Sequence, residues 1–90
     1  MRVPQKYRPV DVFTPQDLAD LESAQREAVE RYLVADDWRA IAAGRNGRIG
    51  VATGQASEEA AVETALRDCA RVGGTDCAVS AVGPFLVTRN

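Results

Sequence analysis

The stretch Asn46-Gly47-Arg48-Ile49-Gly50-Val51-Ala52-Thr53-Gly54 constrains the fold of this chain more than any other. Asn-Gly between two apolar runs is a strong hairpin signal, because both central residues of a type I′ turn need positive φ. The strand that follows, expected from about Ile49 to Thr53, alternates unusually. Ile49, Val51 and Thr53 point one way, while Gly50, Ala52 and Gly54 point the other. A face made of glycine and alanine lets another element approach closely, so a helix is expected to pack on it.

The other elements follow from capping and periodicity. Residues 1–14 read as an extended arm, since Pro4 and Pro9 forbid a helix, and the arm can lie along a surface or add to a sheet edge. Thr14-Pro15-Gln16-Asp17 is a helix start: Thr14 caps, Pro15 suits the first position and Asp17 sits at the positive end. Apolar residues at Leu18, Leu21, Ala28, Val29, Tyr32 and Leu33 then recur at helical spacing. Trp38 to Ala43 reads as the first strand. Ser57 caps a second helix with Glu58 and Glu59 in its first turn, and Val62, Ala65, Leu66 and Cys69 form its buried stripe. Gly73-Gly74 ends that helix. Cys77 to Val82 is a third strand, Gly83-Pro84 a tight reversal with Gly83 at positive φ, and Phe85 to Thr88 a fourth strand.

The expected class is α+β in the order α-β-β-α-β-β, with a small, mostly antiparallel four-stranded sheet and a helix packed across one face. The expected organisation is an extended arm (1–14), an amphipathic helix and link (15–37) and a ββαββ domain (38–90). Ninety residues suit a single domain.

Charge and composition exclude several classes of function. The net charge is −2 and there is no histidine, so no strong global field draws in nucleic acid, and the commonest general base and metal ligand are missing. Asp36 and Asp37 are adjacent, and carboxylates so placed cap or solvate more often than they form a catalytic pair. Ser57 and Ser80 have no base to activate them. The glycine-rich hairpin lacks the Gly-Lys-Ser/Thr ending of a phosphate loop and leads into a strand rather than a helix. No catalytic, metal or cofactor residue is therefore assigned, and the chain reads as a non-enzyme. No apolar run reaches the roughly 18 residues of a membrane span. The opening MRVPQKYRPVDVF holds no continuous apolar leader core. A complete chain is expected in the cytoplasm, and a fragment of an exported one in the periplasm or outside.

From Trp38 the sequence resembles a widespread bacterial domain family of unknown function. The resemblance rests on WRAIA at 38–42, SEEAA at 57–61, ALRDC at 65–69 and CAV at 77–79, and covers residues 38–82. It implies an exported, envelope-associated or accessory module with paired cysteines, and it carries over no catalytic residues. The chain differs from the family pattern in having only two cysteines and an added N-terminal helix.

Three groups of residues stand out as candidate sites. Cys69, in the last turn of the second helix, and Cys77, at the start of the next strand, either form a disulfide, as the resemblance implies, or stay as two reduced, buried thiols. The pair has neither Cys-x-x-Cys spacing nor the further ligands that zinc needs. Arg39, Arg45 and Arg48 either hold an anion or nucleic-acid backbone or form a solubilising rim that guards an edge strand. Leu18, Leu21, Tyr32 and Leu33 either cover the second sheet face or pair with a second copy. The expected function is a non-catalytic interaction or accessory module binding a protein partner, its parent polypeptide or an envelope component. Weak anion or nucleic-acid binding through the arginine hairpin is the alternative.

Overall fold

The backbone of Gly50 lies directly beneath a helix, and the rest of the fold is arranged around that contact. In the computed structural model, which describes residue 4 and residues 7–13 and 23–89, seven elements follow one another. They are β1 (Tyr7–Val12), α1 (Ser23–Leu33), β2 (Ala40–Ala43), β3 (Ile49–Ala52), α2 (Glu58–Arg71), β4 (Ala78–Val82) and β5 (Phe85–Arg89). The sheet has five strands in the order β1-β5-β4-β2-β3, and every neighbouring pair is antiparallel.

The four-stranded expectation is corrected by β1. Part of the expected arm, Tyr7–Val12, pairs with β5 from Tyr7–Arg89 to Val12–Phe85. Pro9 brings no N–H to this ladder and the register slips between Pro9 and Asp11, features tolerated at a sheet edge and rarely within one. The expected helix start at Thr14–Asp17 lies outside the described residues.

The two sheet faces carry different cores. On one face Ala40, Ala42, Ala52, Val82 and Val87 pack against Ala61, Val62, Ala65 and Cys69 of α2. A Cβ built on Gly50 would stand 2.2 Å from the carbonyl oxygen of Ala65 and 2.2 Å from the amide nitrogen of Cys69. Here helix backbone meets strand backbone, as the glycine-alanine face predicts. Ser57 starts α2 as its N-cap, its Oγ accepting from the Ala60 N–H at 3.1 Å. On the opposite face Ile41, Ile49 and Ala81 pack with Phe13 and with Val29 and Tyr32 of α1. Both faces are therefore covered, α2 taking the face on which a helix is expected and α1 taking the second.

The hairpin between β2 and β3 also departs from expectation. Gly47 takes a φ of 84° but Asn46 does not enter the positive region, so the turn is not type I′. The Gly44 N–H donates to the Arg48 carbonyl at 2.7 Å and the Gly47 N–H to the Gly44 carbonyl at 3.1 Å. This is a three-residue loop with glycine in the left-handed position. The reversal at Gly83 has the expected positive φ, 58°.

Gly50→Ala must push two backbones apart, so it is expected to cost about 3 kcal/mol or more. Urea denaturation monitored by circular dichroism measures this directly; a loss below about 1 kcal/mol would mean that α2 moves away from the sheet at little cost.

Candidate functional site

The three candidate arginines occupy different places. Arg39 lies just before β2, whereas Arg45 and Arg48 flank the turn beyond its other end. The Arg39 Nε donates to Asp37 Oδ1 at 3.1 Å, and its Nη1 donates to the carbonyls of Tyr32 at 2.6 Å and Ala35 at 3.2 Å. Its guanidinium sits 5.1 Å from the Tyr32 ring centroid. A cation on the last carbonyls of α1 stabilises that helix end. Arg39 therefore anchors α1, and its charge is committed inside the molecule. Arg45 and Arg48 are exposed, and Arg45 approaches Asp76 at 3.9 Å in an ion pair open to water, a geometry that contributes little.

Of the two placements expected for Tyr32, the structure has the cover of the second sheet face: its side chain is wholly buried there. Its hydroxyl donates to the Gly83 carbonyl at 2.6 Å, and its ring meets Phe13 edge-on at 5.9 Å between centroids. A phenol that lacked this acceptor would leave a polar group stranded in the core. Burial holds its ionisation well above the usual tyrosine range, partly offset by the nearby Arg39 cation. Leu33 stays at the surface beside Val34. Leu18 and Leu21 lie outside the described residues.

Cys69 and Cys77 form a disulfide with their α-carbons 6.3 Å apart. The bond lies over Gly74, where a Cβ would sit 2.5 Å from one sulfur and 2.7 Å from the other. Only glycine leaves room there. The loop between the cysteines is fastened to the hairpin tip. Asn46 Nδ2 donates to the Gly73 carbonyl at 2.9 Å, the Thr75 N–H donates to Asn46 Oδ1 at 3.3 Å, and the Arg45 N–H donates to the Thr75 carbonyl at 2.7 Å. Sequence reasoning missed this contact because the Asn46 amide was read only as a turn signal.

The remaining polar candidates have structural roles. Asp37 holds Arg39 and Ser57 caps α2. Ser80 falls where the β2–β4 register slips, between the Ala42–Val79 and Ile41–Ala81 pairs. Asp68, which sequence reasoning did not single out, reaches from α2 to the open edge of β3, its Oδ2 accepting from the Val51 N–H at 3.2 Å. Arg71 pairs with its other oxygen. Among the described residues, no group of three or more histidine, cysteine or acidic side chains is placed to hold a metal ion, and no helix is long and apolar enough to cross a membrane.

Two outcomes test these roles. The folded state holds the Tyr32 proton more tightly than the unfolded chain, so its contribution is fully present below a pH of about 10 and is lost as pH rises towards the folded-state value. Tyr32→Phe should cost about 1 kcal/mol at pH 7 and flatten the alkaline decline of stability in paired denaturation curves; identical alkaline slopes would count against this. Cys69→Ser/Cys77→Ser should lose about 2.5 kcal/mol by chain entropy, read from the urea midpoint.

No curated protein and no solved structure matches the chain. The family described as a domain of unknown function, DUF4189, matches residues 38–84. That range runs from Trp38 through the hairpin, α2, the disulfide and β4 to the Gly83-Pro84 turn, more than half of the chain. The protein belongs to the DUF4189 family.

Proposed function

We propose that this chain is a non-catalytic interaction or accessory module that binds a protein partner, either envelope-associated or part of its own parent polypeptide. The observation that carries this reading is a set of exposed aliphatic side chains on β1 and at the end of α1. The large hydrophobic residues exposed among the described residues are Val10, Val12, Leu33 and Val34, at 54%, 59%, 37% and 85%. The Phe13–Tyr32 ring contact joins β1 to α1, so Val12 and Leu33 are each next in sequence to a residue of the same contact. Aliphatic side chains left in water beside a sheet edge suit a protein surface that excludes water on binding.

The exposed pair Arg45 and Arg48 at the hairpin tip supports the second reading, weak binding of an anion or nucleic-acid backbone. Such binding would weaken steeply with salt.

A photo-cross-linking amino acid placed at Val12, at Val34, or at the exposed control Glu63 distinguishes these readings in the host cell. The same partner should be captured from Val12 and Val34 but not from Glu63. Capture should be lost with Val10→Glu and persist in Arg45→Ala/Arg48→Ala. Adducts of the chain with itself would identify the partner as a second copy. Equal labelling from all three positions would overturn the aliphatic surface. Binding that disappears only in the arginine variant would favour the anion reading.

A further inference from the structure

The disulfide loop and the hairpin tip are joined by hydrogen bonds, and one of the two cysteines borders a surface cavity. Cys69 is wholly buried under the sheet, whereas Cys77 is half-buried. Cys77 lines a surface cavity of about 170 Å³ together with Tyr7, Leu66, Ala78 and Val79. This cavity lies where the sheet opens: β4 pairs with β5 only at Ala81 and Val82, leaving Ala78 and Val79 beside the gap. Thiol–disulfide exchange requires in-line access to one sulfur, and here that access leads to Cys77.

We infer that Cys77 is the site of thiol–disulfide exchange with a dithiol reductant, and that reduction releases the Gly44–Arg48 hairpin tip. In the first step a reductant thiolate attacks Cys77 Sγ, the Cys69–Cys77 bond breaks, and Cys69 leaves as a thiolate that takes up a proton. The reductant's second thiolate then attacks its own sulfur in the mixed disulfide and frees Cys77, which is also protonated. Two electrons pass from the dithiol, which becomes a disulfide. A monothiol does not complete this sequence, because α2 holds Cys69 next to the mixed disulfide at high effective concentration and the bond re-forms.

The consequence is local. Residues 72–74 are tied to the end of α2 by their own N–H groups, which donate to the Asp68, Ala70 and Cys69 carbonyls, while Thr75 and Asp76, on the far side of Gly74, are drawn to Cys69 through the bond at Cys77. Those residues in turn hold the tip through the Asn46 side chain and the Arg45 amide. The β2–β3 ladder lies outside the loop, and the α2 contact with Gly50 is made by the helix backbone at Ala65 and Cys69 and not by the Cys69 sulfur, so both remain. Reduction therefore frees Arg45 and Arg48 from a fixed position without dismantling the sheet.

Amide hydrogen exchange on the whole chain tests this, with the oxidised protein compared after dithiothreitol and after reduced glutathione at equal thiol concentration. Dithiothreitol should leave both thiols alkylatable and speed exchange at the Arg45 and Thr75 amides about 10-fold or more, with the Ala42 and Ala52 amides unchanged. Glutathione should leave the disulfide closed. Asn46→Ala, with the disulfide intact, should speed exchange at Arg45 without any reductant. Unchanged Arg45 protection once both thiols are free would overturn the latch. Loss of protection throughout the sheet would show global unfolding instead of local release. A disulfide that resists dithiothreitol in the native protein, or opens equally to glutathione, would overturn the exchange site.

Discussion

The contact between the Gly50 backbone and α2 determines where almost everything else in the molecule lies. At 2.2 Å from a notional Cβ, the Ala65 carbonyl and the Cys69 amide leave no room for any side chain. Small residues therefore line both sides of the seam: Ala42 and Ala52 on the sheet, Ala61 and Ala65 on the helix. Close approach increases the number of dispersion contacts for each residue, which matters in a core with few large side chains. It also brings the last turn of α2 to the edge of the hairpin, so that Asp68 reaches Val51 and Cys69 reaches Cys77.

The second face is held differently. There α1 relies on one large aromatic residue and on directed polar contacts: the Tyr32 hydroxyl on Gly83 and the Arg39 guanidinium on the final carbonyls of the helix. Hydrogen bonds of this kind specify an orientation more strictly than aliphatic packing does, because an unmet donor in the core is costly. The range matched by the family, residues 38–84, contains the α2 face and the disulfide. β1 and α1 lie outside that range, and α1 together with Phe13 supplies the cover for the other face. Both sheet edges are blunted, one by Pro9 and its bulge, the other by the Asp68 carboxylate, which limits edge-to-edge association.

These two halves carry different surfaces. The aliphatic side chains of β1 and of the end of α1 sit on the part outside the matched range. The hairpin tip and the disulfide loop belong to the matched part. The proposed partner surface and the proposed redox-sensitive tip therefore lie on separate elements.

Local chemistry made much of this legible from the sequence alone. The bare face at Gly50 and Ala52 announced a helix, Ser57 announced where it begins, and Gly73-Gly74 where it ends, because caps and strand alternation depend on neighbours a few residues away. The residues 38–82 that carried the family resemblance lie within the matched range. What the tertiary structure decided depends on contacts between distant segments. Pairing of Tyr7–Val12 with β5 turned an expected arm into a fifth strand, since an edge position costs little for a segment containing proline. The sequence groups Arg39 with Arg45 and Arg48 as a surface cluster, yet the chain at the end of α1 draws it inward, where the Tyr32 and Ala35 carbonyls accept from its guanidinium. Asn46 was read as a turn former, and its amide instead bridges to Gly73 and Thr75. A single sequence shows which groups can donate and accept, while only the folded chain determines which of them meet.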